Sequence, residues 1–220
     1  MNPVGVLERS FDRMAAPQAN LSTTRAATAS SALLIGIPTR LFSMLAPRKT
    51  LWSTPTAAIE QTSNLIQLTS SDTLYDVGCG DGRVIIHLAS ATPCRRFVGI
   101  EIDEGRAQQA QRNVDEARKA GRIPEEVSIL IRRANALEVD YSEATAVFLY
   151  LVPRGLRLIK PILLQRPKAG STKKEGGSDE VRVVTYMSPF ADEQYVKKEL
   201  CTVDHQEGAA WPIYLYHLGR

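Results

Sequence analysis

The sequence predicts an α/β fold with a mainly parallel sheet, and two patterns carry that prediction. From residue 51 onward, segments with the apolar pattern of strands alternate with segments that have the polar face of amphipathic helices. The segment AVFLYL at residues 146–151 carries no charge, which is typical of a strand buried on both faces of a sheet. Repeated β–α winding of this kind predicts one sheet covered by helices.

The predicted elements follow one another with short connections. Pro161 is expected to bend or shorten the last predicted helix, because proline removes a backbone donor. Two extended segments near the carboxyl terminus, 198–204 and 212–217, are separated by a turn at 208–210, and their close spacing predicts an antiparallel hairpin. The other elements are helices at residues 55–68, 83–90, 104–120 and 156–164, and strands at 73–77, 96–100, 127–131, 146–151 and 181–187.

Length and composition predict one domain preceded by a tail. A chain of 220 residues with 44% hydrophobic residues can bury one sizeable core but hardly two. We therefore assign residues 51–220 to the domain and residues 1–50 to the tail. Within the domain, residues 168–180 read KAGSTKKEGGSDE and contain no apolar anchor, which predicts a flexible insertion.

The tail has a composition that resembles a mitochondrial transit segment, because no Asp or Glu occurs between Arg13 and Ile59. Glu8 and Asp12 interrupt this bias, and a disordered tail with one short helix is the alternative. The apolar run at residues 32–37 is far shorter than the about 20 residues of a transmembrane helix. We expect no transmembrane span, leave peripheral membrane contact open, and expect an intracellular location in mitochondria or cytoplasm.

Charge and cysteine content argue against several kinds of partner. The formal net charge is +3 and the basic residues are spread along the chain, so there is no strong nucleic-acid signal. Cys79, Cys94 and Cys201 form no CxxC pair and have no histidine at ligand spacing, which argues against a metal site and against a disulfide framework. The three histidines have no triad partner, and we assign them structural roles.

A glycine-rich turn follows the first predicted strand and precedes a helix. It reads D-V-G-C-G-D-G at residues 76–82, and a Cβ at Gly78 or Gly80 would occupy the space that a close ligand needs. A dinucleotide fingerprint, G-x-G-x-x-G, would have its third glycine where Arg83 stands. The turn therefore disfavours pyrophosphate binding and an NAD-dependent oxidoreductase.

Two acidic residues end the first two predicted strands. Asp76 ends an apolar strand, where a charge is costly unless a ligand's ammonium group or the amides of the turn compensate it. Glu101 stands at the end of the next strand, where a carboxylate can accept hydrogen bonds from both hydroxyls of a ribose. The alternatives are that Asp76 only braces the glycine turn and that Glu101 is a solvated residue at a strand end.

These segments resemble known motifs. LYDVGCGDGRV at residues 74–84, followed by VGIEID at 98–103, resembles motif I of the class I S-adenosylmethionine-dependent methyltransferases. In that superfamily the position of Asp76 lies near the methionine amino group and the position of Glu101 binds ribose. Asn135-Ala136 stands where the family often has Asp-Ala beside the adenine amino group. The cofactor residues that the resemblance implies are Asp76, Gly78, Cys79, Gly80, Gly82, Glu101, Ile102, Asn135 and Ala136.

The resemblance implies a Rossmann-like methyltransferase sheet and S-adenosyl-L-methionine as cofactor. A narrower resemblance is to the small protein-lysine methyltransferases that modify mitochondrial proteins such as the ATP synthase c subunit and the adenine nucleotide translocator. It rests on TPTAAIEQTSNLIQL at residues 54–68, VFLYLVPRGL at 147–156 and VRVVTYMSPF at 181–190. This resemblance implies a protein substrate and a lysine acceptor.

The acceptor is expected to approach at the end of the fourth predicted strand. Phe148, Tyr150 and Pro153 stand there, and Tyr150 and Pro153 are our candidates for positioning the acceptor, while Phe148 and Tyr150 also fit the core and rim of a buried strand. The sequence identifies no general base. The alternatives are an RNA or small-molecule methyltransferase, or a noncatalytic subunit that binds a nucleoside.

Overall fold

The computed structural model describes residues 53–165, 180–202 and 209–219. The predicted tail at residues 1–50 and nearly all of the predicted insertion lie outside these ranges. Glu180, predicted as the last residue of that insertion, is instead the first residue of a strand and pairs with Gly219. That pairing is long-range, so the polar composition before Glu180 gave no sign of it.

Four helices, one 3-10 turn and seven strands form the described part of the chain. The strands make one sheet in the order β3-β2-β1-β4-β5-β7-β6. The helices are α1 (Thr56–Ile66), α2 (Arg83–Ala91), α3 (Glu104–Lys119) and α4 (Pro153–Leu163), and the 3-10 turn is Ala136–Glu138. The strands are β1 (Thr73–Val77), β2 (Arg96–Glu101), β3 (Ser128–Arg133), β4 (Ala146–Leu149), β5 (Glu180–Tyr186), β6 (Lys197–Thr202) and β7 (Ala210–Gly219).

The sheet confirms the predicted α/β class and the predicted hairpin. Strands β1 to β5 run parallel, β7 pairs antiparallel with β5, and β6 pairs antiparallel with β7. The predicted turn at 208–210 is wrong at Ala210, which pairs with Thr202 and begins β7. Because β7 is paired on both sides, it extends beyond the segment that its own apolar pattern marks.

The largest boundary error lies between β4 and α4. The strand ends at Leu149, two residues before its predicted end, and the helix begins at Pro153 rather than at Leu156. Proline is well suited to the first turn of a helix, where its missing N–H needs no partner, and it holds the preceding Val152 in an extended conformation. Pro161 lies in the last turn, and the helix continues through it to Leu163, one residue before its predicted end. Bending or shortening of this helix by Pro161 stays a prediction.

Two apolar layers enclose the sheet. Helices α1, α2 and α3 pack on one face with alternate strand residues such as Leu74, and α4 packs on the other face with neighbours such as Tyr75. All five residues of β1 are buried, as expected for a central strand between two layers. The carboxyl ends of β1, β2, β4 and β5 therefore meet at one edge, where ligands bind in open α/β sheets.

Candidate cofactor and acceptor site

The glycine turn closes tightly against the end of β2. The amides of Gly78 and Cys79 donate to the Ile100 carbonyl oxygen at 2.8 and 3.0 Å. Gly78, Gly80 and Gly82 have φ values of +82°, +56° and +79°, in the left-handed region that glycine adopts without strain. The turn therefore presents bare backbone at the edge of the sheet, as the sequence predicts.

Cys79 faces the protein interior. An ideal Cβ on Gly99 would lie 2.8 Å from Cys79 Sγ and 2.8 Å from Ile85 Cδ1, so Gly99 is required for this packing. Burial, with the nearby Asp76 and Glu101 carboxylates adding to it, raises the pKa of the Cys79 thiol well above its usual range. Only the backbone of Cys79 is suited to a ligand contact, and the thiol is unsuited to nucleophilic chemistry.

Glu101 holds the turn through its carboxylate. Its Oε2 accepts a hydrogen bond from the Gly80 amide at 3.0 Å, and its Oε1 accepts from the amides of Ile102 and Asp103 at 2.9 and 3.0 Å. A carboxylate has about four acceptor positions, so one position on Oε2 is left for a ligand hydroxyl in this conformation. The predicted contact with both ribose hydroxyls would need Glu101 to give up one of its amide partners.

Asp76 is the buried acid whose bonding is incomplete. It lies in the middle of the sheet between Gly99 of β2 and Phe148 of β4 and is only 2% exposed. Its Oδ2 has no hydrogen-bond partner among the residues that the structure describes. Burial, and then the charges of Glu101 and Asp81, raise the pKa of this carboxyl to about 8.

This arrangement fits a cationic, nucleoside-containing ligand. An ionised carboxyl without a partner is costly in the interior, and a ligand's ammonium group would supply the missing donor and charge. S-adenosylmethionine carries such a group beside its sulfonium. The unpartnered Asp76 Oδ2 and the bare backbone of the turn therefore suit this cofactor.

Asn135 and Ala136 lie beside Glu101, where the predicted adenine contact would be. The Ala134 amide donates to the Glu101 carbonyl oxygen at 3.0 Å, which brings this segment to the end of β2. The Asn135 side chain caps the 3-10 turn through the Leu137 amide at 3.1 Å and also donates to Glu138 at 2.9 Å. The adenine contact stays a prediction. Asn135 would make it with the second hydrogen of its Nδ2 or the second acceptor position of its Oδ1.

The predicted acceptor residues belong to a segment that passes near the glycine turn. An ideal Cβ on Gly78 would lie 3.7 Å from Leu151 Cδ2, so the segment after β4 touches the turn after β1. Tyr150 is partly buried, and its hydroxyl donates to Met187 Sδ at 3.0 Å. Pro153 is exposed at the start of α4, whereas Phe148 is 1% exposed and belongs to the core.

Two residues at this edge escaped the sequence reasoning. Leu151 and Met187 touch Gly78 and Tyr150, respectively, through contacts that join distant parts of the chain. Nothing in the local pattern of either residue marks it, because each owes its position to the strand that precedes it. In the ranges 53–165, 180–202 and 209–219, no three His, Cys, Asp or Glu side chains are grouped so as to hold a metal ion.

The fold and this site define a class I S-adenosylmethionine-dependent methyltransferase. A model of the family described as the ANTKMT methyltransferase domain matches residues 76–172. A protein-lysine N-methyltransferase of Saccharolobus islandicus (strain REY15A) is 30% identical over 170 residues, which are 76% of this chain and 92% of that protein. The chain belongs to this methyltransferase family, which confirms the predicted class of enzyme and its cofactor.

Solved structures agree on the fold. An RNA methyltransferase from Salinibacter ruber in complex with S-adenosyl-L-homocysteine is 30% identical, with a TM-score of 0.59 over 76% of this chain and 94% of that one. The precorrin 8W decarboxylase of Methanobacterium thermoautotrophicum has a TM-score of 0.51 at 16% identity over 77% of this chain and 93% of that one, and shows the fold alone. Within the described ranges, no helix is both long and apolar enough to cross a bilayer.

Proposed function

We propose that this enzyme transfers the methyl group of S-adenosylmethionine to the side-chain amine of a lysine in a protein. The observation that carries the proposal is the contact between the turn after β1, which suits the cofactor, and the segment after β4, which carries Tyr150. The lysine acceptor is supported by the Saccharolobus relative, which is named as a protein-lysine methyltransferase and is matched over nearly its whole length.

On the cofactor side, each residue would have a distinct task. When bound, the cofactor supplies a methyl carbon made electrophilic by the sulfonium. Asp76 would hold the ammonium group, and the glycine turn, with the backbone of Cys79, would lie along the methionine portion. Glu101 would accept from the ribose, with Ile102 beside it, and Asn135 and Ala136 would lie against the adenine. These roles rest on the buried carboxylates and the bare turn described above.

On the acceptor side, the enzyme must present a neutral amine. Lysine has an unperturbed pKa of about 10.4, so at neutral pH its amine carries a proton that blocks the lone pair. Burial raises the pKa of Tyr150, and the phenol therefore stays protonated and cannot serve as a base. Tyr150 would orient the amine, Pro153 would line its path, and transfer into an apolar rim would favour release of the proton to solvent.

The test uses the full-length protein with methyl-labelled S-adenosylmethionine and a mitochondrial extract. Label is expected in protein bands and, after proteolysis, on lysine, and the Asp76→Asn variant is expected to lose it. A matched incubation with nuclease-treated extract separates the acceptors. Loss of all label on nuclease treatment, with none on lysine, would reject the lysine acceptor.

RNA methylation is the second candidate, because the Salinibacter protein is described as an RNA methyltransferase and is as similar in sequence as the Saccharolobus protein. The same incubation measures it directly. Label in RNA together with label on lysine would leave both activities. Label in RNA alone would establish the second candidate in place of the first.

We also propose that residues 1–50 act as a mitochondrial transit segment. The support is their composition, which contains no acidic residue from position 14 to position 50. Fractionation of cells that express the tagged full-length chain is compared with fractionation of cells that express residues 51–220. We expect to find only the full-length chain in the mitochondrial fraction. If both chains were distributed equally among the fractions, targeting by this segment would be rejected.

A further inference from the structure

Met187 has an unusual backbone conformation at the end of β5. Its φ is +68°, and among the described residues only Gln67 shares a positive φ without being glycine. Gln67 is the C-cap of α1, where the left-handed conformation is common. Met187 does not end a helix. It is the middle residue of a three-residue turn in which the Ser188 amide donates to the Tyr186 carbonyl oxygen at 2.9 Å, and such a turn with a positive φ is rare and strained.

Neighbouring strands hold Met187 in this conformation. Its amide donates to the Pro212 carbonyl oxygen of β7 at 2.8 Å, so its backbone is fixed by the antiparallel pair that follows β5. Backbone strain of this kind tends to occur at functional sites. The turn aims the side chain at Tyr150, whose hydroxyl lies 3.0 Å from Met187 Sδ.

The direction of this hydrogen bond matters. A thioether sulfur can only accept, so the phenol must use its one proton to bond Met187. The oxygen of Tyr150 is then left with lone pairs alone for any other partner. The Tyr150 ring is also held edge-on against Tyr186, with ring centroids 4.8 Å apart, so the oxygen has a defined place.

Tyr150 leaves the sheet at the same edge as the cofactor turn. Leu149 pairs with Val77 of β1 on one side and with Thr185 of β5 on the other, so Tyr150 emerges between the ends of these two strands. The next residue, Leu151, approaches Gly78 of the glycine turn. Under the proposed function, Tyr150 stands at the edge of the sheet where an amine would approach a methyl group held at this turn.

We propose that Met187 is a positioning residue that fixes the Tyr150 hydroxyl as a hydrogen-bond acceptor for the N–H of the incoming amine. This inference rests on the proposed function, because it needs an amine as acceptor. By accepting the hydrogen bond from the phenol, Met187 prevents Tyr150 from donating one to the lone pair that must attack the methyl carbon. The amine keeps that lone pair free and directs an N–H at Tyr150.

The chemistry also predicts how many methyl groups are added readily. A neutral lysine amine has two N–H bonds, the monomethylated amine has one, and the dimethylated amine has none. An acceptor oxygen can therefore orient the first and second methyl additions but not the third. With Met187 in place, transfer to dimethyllysine is expected to be the slowest step on a peptide substrate.

The test is a double-mutant cycle of Met187→Leu and Tyr150→Phe in the full-length enzyme, with a peptide that carries the lysine labelled in the mitochondrial extract. Leucine keeps the size of methionine and removes the sulfur, and kcat is expected to fall about fivefold, as for a lost hydrogen bond. In the Tyr150→Phe background, Met187→Leu is expected to cause no further fall in kcat, because Met187 acts through the phenol. Equal losses in both backgrounds would show a merely structural role and overturn the proposal.

Met187→Gly separates the hydrogen bond from the backbone strain. Glycine adopts the turn without strain, so the backbone change should not lower the melting temperature. The sulfur is lost, however, and kcat should fall as in the leucine variant. Full activity of the glycine variant would overturn the proposal. Failure of the proposed function has another signature, because the unsubstituted enzyme would then methylate no lysine peptide at all.

Discussion

Two buried carboxyls at opposite ends of β1 are bonded in contrasting ways. Asp72 and Asp76 are 5% and 2% exposed, yet the pKa of Asp72 is lowered to about 2 and that of Asp76 is raised to about 8. Burial raises the pKa of both carboxyls, but at Asp72 this effect is outweighed by hydrogen bonds from Arg182, Thr145 and Thr69, which lower the pKa. Asp76 has no partner for Oδ2 among the described residues.

The contrast separates the stabilising end of the sheet from the ligand-binding end. At the amino end, Asp72 Oδ1 accepts from Thr145 at 2.6 Å and pairs with Arg182, while its Oδ2 accepts from the Thr69 amide at 2.6 Å. Both oxygens of the Asp72 carboxylate therefore have partners within the fold. At the carboxyl end, Asp76 keeps an open position that a cationic ligand can fill. Incomplete bonding of a buried acid is therefore the clearest structural mark of the site.

Removing Asp72 is expected to have the largest effect on folding. Asp72→Ala leaves the Arg182 guanidinium without its carboxylate, and loss of one partner of a buried pair costs about 3–5 kcal/mol. Urea unfolding measures the loss, and calorimetry should show unchanged affinity for S-adenosylmethionine in the folded protein. A large loss of affinity with little loss of stability would break the comparison between the two ends.

Replacing Asp76 is expected to have the converse effect. Asp76→Asn removes the charge that would meet the ammonium group, and affinity for S-adenosylmethionine should fall about 30- to 100-fold, as for a lost hydrogen bond to a charged group. Stability at neutral pH should change little, because the buried carboxyl is already largely uncharged. Calorimetry on this variant and on Asp72→Ala forms a matched pair. Undiminished binding would contradict the assigned pocket.

The sequence marked Asp76 as a candidate ligand contact, but no pattern in it indicated the bonding of Asp72. It predicted β1 to its exact residues and identified Asp76 within the glycine motif, because these are short-range patterns. Thr69 is a local partner of Asp72, but Thr145 and Arg182 come from positions 73 and 110 residues away, and no local pattern indicates them. The same holds for Met187, whose position depends on pairing between β5 and β7. Short-range signals mark the turn, and only tertiary contacts show which acid is left open.

The packing behind the glycine turn can be tested at Gly99. A Cβ there would meet Cys79 Sγ, Ile85 Cδ1 and Ile131 Cδ1 at 2.8 to 2.9 Å, so Gly99→Ala should cost about 1–3 kcal/mol through overpacking. Because Cys79 belongs to the turn, weaker binding of the cofactor should accompany the loss of stability. Gly105→Ala in α3 is the control, since its Cβ would have an ordinary contact at 3.4 Å and a helical position favours alanine. Equal losses in both variants would reject the packing argument.

The smallest expected effect is the pH dependence of cofactor binding. In the free protein the pKa of Asp76 is raised to about 8, so the carboxyl is protonated at neutral pH. A bound ammonium group favours the ionised form and lowers that pKa, so binding below pH 8 releases a proton and strengthens as pH rises. The ligand's own α-amino group, with an ordinary pKa of about 7.7–8.0, loses part of its charge over the same interval. Between pH 7 and pH 8 the affinity should therefore rise only about two- to threefold, and buffers of different ionisation enthalpy should reveal the released proton in calorimetry. Asp76→Asn has no such group and should bind weakly, with an affinity that does not rise over this interval. If affinity still rises with pH in the asparagine variant, the proton released on binding belongs to another group. Asp76 would then be ionised throughout, like Asp72 at the other end of the strand.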